Sequence, residues 1–97
     1  MKAIMISFDQ AHYENVIAVL DRCNARGFTM MPTTQGRGTR TGDPHYGSHA
    51  WPSICSTIIT IVDDSQAEPL LQRLDALDKE SEMLGLRAFQ WNIEKTI

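Results

Sequence analysis

The stretch Ile54-Cys-Ser-Thr-Ile-Ile-Thr-Ile-Val62 is the strongest strand signal in this chain of 97 residues. Five of its nine residues are Ile or Val and two more are Thr, and these β-branched types favour extended structure. Apolar residues occupy both alternating sets of positions, with Ile58 in one set and Ile59 and Ile61 in the other. The pattern predicts a strand within a sheet that is apolar on both faces.

The residues before this strand predict a strand, a helix and a second strand. Residues 2–8 form a short apolar run, and Asp9 can cap a helix that Gly27 ends in a left-handed conformation. Residues 28–35 favour a second strand. Pro32 directs that strand to a sheet edge or a bulge, because proline has no N–H to donate to a ladder.

The residues after it predict a second helix and a last strand. Ser65-Gln-Ala-Glu68 has the spacing of a capping box, and Pro69 must then lie in the first turn of the helix. Gly85 ends this helix. Residues 86–94 alternate between apolar and polar side chains, as a half-buried strand does.

The resulting order is βαββαβ, which predicts an α+β, ferredoxin-like single domain over residues 1–97. In this architecture an antiparallel four-stranded sheet carries both helices on one face, and here a long loop joins strands two and three. The other face has no helix to cover its apolar residues, which predicts a partner subunit. Trp51 and Ile58 are the predicted interface residues.

The net charge of −3 argues against general binding to nucleic acid or to an anionic membrane surface. No apolar run before Asp9 reaches the length of a signal peptide or a membrane span, so we expect a cytoplasmic protein without membrane insertion. Cys23 and Cys55 lie far apart and favour neither a disulfide framework nor a zinc knuckle.

Residues 36–52 form a long connection for so small a domain, and such segments are usually functional or disordered. Three glycines supply backbone freedom and exposed N–H groups, and two arginines supply forked donors for carboxylate or phosphate. These candidate ligand-binding residues are Gly36, Arg37, Gly38, Arg40 and Gly42. The composition indicates either an anion site or a flexible surface loop.

The same loop carries His45 and His49, with Asp43 before them and Cys55 after them. These residue types bind zinc, copper or nickel, so a divalent metal site is one interpretation. In the other, one histidine bonds loop backbone and the second is solvated, because Pro44 opposes the helix on which His-x-x-x-His would converge. A third hypothesis is a small-molecule enzyme of the dimeric ferredoxin-like type with His12 or His49 as base, although no nucleophile–base pair is visible.

The βαββαβ order, the turn Arg26-Gly-Phe-Thr29 and the run Gly36-Arg-Gly-Thr-Arg-Thr-Gly42 resemble the PII-like signalling proteins, which include the nitrogen-regulatory PII proteins. The resemblance implies a homotrimer without enzymatic activity that binds a small anionic effector, such as an adenine nucleotide, in the cleft between subunits. Residues 36–52 correspond to the family's T-loop, which also reaches partner proteins. Thr29 takes the place of the family's threonine after the Gly-x turn.

The chain departs from the family pattern after helix two. Classical members have a glycine-rich loop with a lysine that cradles phosphates, whereas this chain runs Lys79-Glu-Ser-Glu-Met-Leu-Gly-Leu86. A polyphosphate needs backbone N–H groups and positive charge, and two carboxylates with one glycine supply little of either. The metal-responsive alternative, through His45 and His49, resembles the CutA-type trimers of the same fold in outline.

Overall fold

The secondary structure follows the predicted order of strands and helices. The computed structural model describes residues 1–34, 36–37, 44–45, 55–80 and 85–97. The elements are β1 (Lys2–Asp9), a 3-10 turn (Gln10–His12), α1 (Tyr13–Arg22), β2 (Phe28–Thr34), β3 (Gly36–Arg37), β4 (Pro44–His45), β5 (Cys55–Val62), α2 (Asp64–Glu80) and β6 (Arg87–Asn92). Neither helix in these ranges is long and apolar enough to cross a membrane.

Four strands form one antiparallel sheet in the order β2-β5-β1-β6. β1 and β5 lie at its centre and pair from Lys2 opposite Val62 to Asp9 opposite Cys55. The apolar composition of β5 suits this position, because a central strand is paired along both edges and packs on both faces. The predicted α+β, ferredoxin-like fold is confirmed.

The hydrophobic core lies between the sheet and the two helices. Every second residue of the central strands enters it, and so does the apolar stripe of each helix. The largest of these side chains are Ile4, Ile6, Phe8, Val16, Leu20, Ile58, Leu70 and Leu74. Ile58 is fully buried among them, so the prediction that it contacts another subunit is wrong. Strand alternation turns Ile58 towards the helices and leaves its neighbours Ile59 and Ile61 on the opposite face.

Pro32 has both of its predicted effects on β2. The strand lies at the sheet edge, and its register with β5 shifts between Met31 and Thr34. Inside this irregularity the hydroxyl of Ser56 donates a hydrogen bond of 2.6 Å to the carbonyl of Pro32. A side chain thus satisfies a backbone acceptor where the ladder is interrupted.

Helix α1 ends at Arg22, earlier than the expected end at Gly27. Asn24, not Gly27, takes the left-handed conformation, with a φ of 59°. The Ala25 N–H then donates to the Leu20 carbonyl at 2.8 Å, which closes the helix. The expectation for Gly27 is wrong because asparagine also tolerates this conformation.

Helix α2 begins before the predicted capping box. The Asp63 N–H donates to the Gln66 side chain at 2.8 Å, and the Gln66 N–H donates to the Asp63 carbonyl at 2.9 Å. Gln66 therefore plays the part expected of Glu68. Pro69 lies in the second turn rather than the first, because the helix already begins at Asp64.

Candidate functional site

The sheet face turned away from the helices, here called the open face, carries the second alternating set of strand residues. Directly paired residues share a face, so their side chains line up in rungs across the strands. The first rung is Ile61, Ala3 and Trp91, the second is Thr29, Ile59, Met5 and Phe89, and the third is Met31, Thr57, Ser7 and Arg87.

The open face changes character along its length. In the first two rungs Ile61 is 47% exposed, Trp91 46% and Phe89 53%. In the third rung polar side chains replace them on three of the four strands. This polar rung lies at the end of the sheet where β2 leaves for residues 35–54 and β5 returns from them. The polar rung is therefore the part of the described sheet that borders the predicted ligand loop.

Side chains of the two central strands contact each other at this end of the sheet. The Ser7 hydroxyl lies 3.3 Å from the Cys55 sulfur, and Cys55 sits opposite Asp9 on one side and Thr34 on the other. Asp9 is only 3% exposed and accepts a hydrogen bond of 2.8 Å from the Ala11 N–H. That carboxylate caps the 3-10 turn, as the sequence predicts, which gives it a structural task.

Arg87 provides a positive charge at the same end of the sheet. Its Nη1 donates to the Leu86 carbonyl at 2.8 Å and lies 3.7 Å from the Asp78 carboxylate. Asp78 also accepts a hydrogen bond of 3.0 Å from the Leu86 N–H, so α2 holds the turn that leads into β6. Gly85 begins this turn in the left-handed conformation, with a φ of 63°. The guanidinium is 41% exposed and keeps further donors for an anion.

Several predicted ligand residues can be placed. Thr29 is exposed in the second rung of the open face, on the edge strand opposite to the one that carries Arg87. Gly36 and Arg37 pair with Pro44 and His45 in a separate two-stranded ladder. This ladder is antiparallel, so Gly36 and Arg37 run beside Pro44 and His45 in opposite directions. The predicted residues outside the described ranges are Gly38, Arg40, Gly42, His49 and Trp51.

The metal hypothesis involves His45 and His49, and the enzyme hypothesis involves His12 or His49. Within the described ranges, no three His, Cys, Asp or Glu side chains cluster as metal ligands do. His45 sits opposite Gly36 in the ladder, and its pairing with His49 stays a prediction. His12 contacts Asn15, with 3.4 Å between Nδ1 and Nδ2, at the start of α1.

Sequence comparison identifies the family to which this fold and loop belong. The family model for nitrogen regulatory protein P-II matches residues 1–97. The chain belongs to the P-II family. No curated protein matches it significantly.

Solved structures of PII-like proteins share the fold of this P-II family chain. CPII, a nitrogen regulatory PII-like protein from Thiomonas intermedia K12 bound to ADP, AMP and bicarbonate, superposes with a TM-score of 0.73 at 21% identity, covering 97% of this chain and 88% of CPII. A protein of Thermus thermophilus, assigned to the PII-like signalling proteins, superposes with a TM-score of 0.68 at 23% identity, covering 95% and 85% of the two chains. The apo form of CPII superposes with a TM-score of 0.67 at 21% identity, covering 95% of this chain and 89% of CPII.

Sequence reasoning missed the polar rung and Arg87. Neither Ser7 nor Thr57 has a spacing that marks a site, and Arg87 stands alone at the start of the last strand. The signal that could have found them is the strand register, which places Ser7 opposite both Thr57 and Arg87. Register depends on turns and bulges as well as on alternation.

Proposed function

We propose that this chain is a PII-like regulatory protein that assembles as a homotrimer and binds a small anionic effector in the cleft between subunits. An adenine nucleotide, with bicarbonate as a further small anion, is the effector class that we propose. Residues 36–52 would report its presence to a partner protein, and the chain would act as a cytoplasmic regulator rather than an enzyme. Family membership supports the regulatory role, and the molecules bound to CPII support the effector class.

The observation that carries this proposal is the pair of apolar rungs on the open face. Ile61, Phe89 and Trp91 are each about half exposed there, and they lie on β5 and β6, on either side of the central strand β1. A contiguous patch of large apolar side chains is typical of a protein interface. Burying it against two further copies would remove it from water and bring the third, polar rung to the subunit boundary.

The proposed effector site combines arginines from two sources. Arg37 and Arg40 belong to the loop, and Arg87 comes from the polar rung. Arginine suits a phosphate or bicarbonate because its guanidinium fork donates two parallel hydrogen bonds. Lys79, near the position of the family's phosphate-binding lysine, instead pairs with Asp75 at 2.8 Å. We therefore assign the positive charge of the site to the arginines.

Two measurements test this function. Sedimentation at micromolar concentration should show a trimer, and a stable monomer would contradict the assembly. Titration calorimetry against ATP, ADP, AMP and cyclic nucleotides, with and without bicarbonate, should detect binding. Absence of heat with every one of them would remove the nucleotide proposal.

Arg87→Gln tests the contribution of the polar rung. The variant should bind the effector about tenfold more weakly, because a charge-assisted hydrogen bond is worth roughly 1.5–3 kcal/mol. Arg26→Gln, which removes another exposed arginine outside the rung, is the matched control. Equal affinity of both variants would exclude Arg87 from the site.

A further inference from the structure

A groove of about 350 Å³ runs between α1 and α2 on the outer surface of the helices, and we call it the helix groove. On each helix the residues that line the groove recur every three or four positions, as residues on one face of a helix do. Asn15, Ala18 and Arg22 contribute from α1, and Arg73, Ala76 and Glu80 contribute from α2. All six are exposed, and the buried stripes of both helices face the sheet instead.

The two helices run in opposite directions. α1 returns from the end of β1 to the start of β2, and α2 returns from the end of β5 to the start of β6. Because β1 and β5 are antiparallel, the helices that return from them are antiparallel too. A contact agrees with this: Gln66, in the first turn of α2, donates to the carbonyls of Cys23 and Asn24, just after α1, at 3.2 Å each.

The antiparallel arrangement separates the charges of the helix groove. Arg22 and Arg73 lie towards the end of the groove where α1 finishes, and Asn15 and Glu80 lie towards the opposite end. The groove is therefore basic at one end and acidic at the other. Between the ends the half-buried Val19 and Leu77 form the floor of the groove, and Ala18 and Ala76 keep its walls low, since neither alanine side chain extends beyond Cβ.

Neither arginine is neutralised within the described ranges. The ion pairs there join the Met1 ammonium to Asp64, Lys79 to Asp75 and Arg87 to Asp78. Two unpaired guanidiniums at one end of a groove repel each other and attract carboxylates. They form this basic end on a chain whose net charge is −3, so the local sign is opposite to that of the whole molecule.

We propose that the helix groove is a docking site for an acidic segment of a partner protein. Each wall runs over eight residues, which corresponds to about 10 Å of helix and so to a peptide rather than a single small anion. Carboxylates of the segment would pair with Arg22 and Arg73, and a small apolar side chain would pack between Ala18 and Ala76 on the floor of Val19 and Leu77. This site lies on the far side of the subunit from the open face, so it is independent of the effector site.

A designed peptide tests the docking site. The probe is a fluorescein-labelled, alanine-and-leucine helix of about 18 residues with two glutamates at one end and capped termini, long enough to be helical by itself. Its twin carries glutamine in place of both glutamates. Fluorescence anisotropy should show that the protein binds the glutamate peptide at least about tenfold more tightly than the glutamine peptide. Equal affinities would overturn the proposal.

Three variants locate the binding. R22Q/R73Q should weaken binding of the glutamate peptide about tenfold or more, and A76L should do the same by filling the groove without changing any charge. R26Q, which removes an arginine outside the groove, should bind within about twofold of the wild type. If R26Q lost as much affinity for the glutamate peptide as R22Q/R73Q does, the proposal would be overturned, because the attraction would then be nonspecific. Circular dichroism confirms that each variant is folded.

Two further measurements distinguish other occupants. Citrate that displaces the peptide better than chloride of equal ionic strength would assign the groove to a small anion and overturn the proposal. A change of oligomeric state in R22Q/R73Q, seen by sedimentation, would assign it to a second copy of this chain and overturn it too. Effector binding measured by calorimetry should be unchanged in R22Q/R73Q, so failure of the docking site and failure of the effector site can be told apart.

Discussion

At the scale of single residues, buried hydroxyls hold the edge strand β2 in place. Ser56 donates to the carbonyl of Pro32, and Thr60 donates to the carbonyl of Gly27 at 2.7 Å. Both hydroxyls belong to β5 and are at most 1% exposed. They anchor the two ends of a strand whose ladder is broken by a bulge, and so they position the point where the chain leaves the sheet for residues 36–52.

Ser56→Ala should destabilise the protein by about 0.5–1.5 kcal/mol, because it removes the hydrogen bond from the buried Ser56 hydroxyl to the Pro32 carbonyl. Urea denaturation monitored by circular dichroism measures the change. Ser65→Ala, at an exposed position in the first turn of α2, is the control and should alter stability by less than about 0.5 kcal/mol. Equal effects of the two substitutions would contradict the role of this hydrogen bond.

Asp64 should make stability depend on pH in acid. The Met1 ammonium donates to its carboxylate at 2.7 Å, and this hydrogen bond and the attached charge lower the pKa of Asp64 from its ordinary value of 3.8. Because the pKa is lower in the folded state, the stabilisation is complete above pH 3.8 and disappears as the pH falls through the lowered pKa.

Denaturation of Asp64→Asn across this range should therefore show a smaller acid-induced loss of stability than the wild type shows. Asp21→Asn, at an exposed position of α1, should keep the wild-type dependence. High salt should reduce the difference between wild type and Asp64→Asn, because the ion pair is exposed. Identical pH profiles for wild type and Asp64→Asn would show that the pair does not contribute.

At the scale of elements, the end of α1 rests on one left-handed residue, Asn24. Asn24→Ala should cost about 1 kcal/mol, because a Cβ without a compensating polar group disfavours positive φ. Asn24→Gly should leave the free energy of unfolding unchanged. Gly27→Ala is the discriminating control: a Cβ there meets no atom within 4 Å and Gly27 has no positive φ, so chemical denaturation should show little change. A loss of stability in Gly27→Ala with little change in Asn24→Ala would show instead that the helix end depends on Gly27.

The order of elements was predictable because each strand and helix has a clear periodicity, and Pro32 identified an edge strand by its missing N–H. The ends of the elements were not predictable, because the chain carries competing signals for where each helix begins or ends. Asn24 and Gly27 can both follow a helix, and Asp63 with Gln66 competes with Ser65 and Glu68 as a capping box. Tertiary contacts decide between them: Gln66 also binds the carbonyls after α1, which Glu68 could not do as a donor.

The candidate site was predictable only in its loop. Glycines and arginines in residues 36–52 are visible in the sequence, whereas Arg87 acquires its place through a register that joins β1 to β5 and β6. The wrong prediction that Ile58 lies in the interface has the same origin. Its neighbours Ile59 and Ile61 are equally apolar, and only pairing shows which of the three faces the helices.

At the scale of the whole molecule, the apolar rungs predict how assembly can be disrupted. Ile61→Glu should convert the proposed trimer to monomers, because it places a carboxylate in the proposed interface, where it would be desolvated. Phe28→Glu is the control: Phe28 is 38% exposed but belongs to the alternating set on the helix side of β2. Sedimentation should show a trimer for Phe28→Glu and a monomer for Ile61→Glu. Dissociation of both variants, or of neither, would place the interface elsewhere.

The gradient along the open face has a consequence for how such a protein can diverge. In a trimer built on the apolar rungs, Ile61, Phe89 and Trp91 are constrained by their fit to neighbouring subunits. With the proposed effector site, Ser7, Thr57 and Arg87 would be constrained by the effector instead. A lineage can therefore exchange one signal molecule for another by altering one rung and its loop while inheriting the same quaternary architecture.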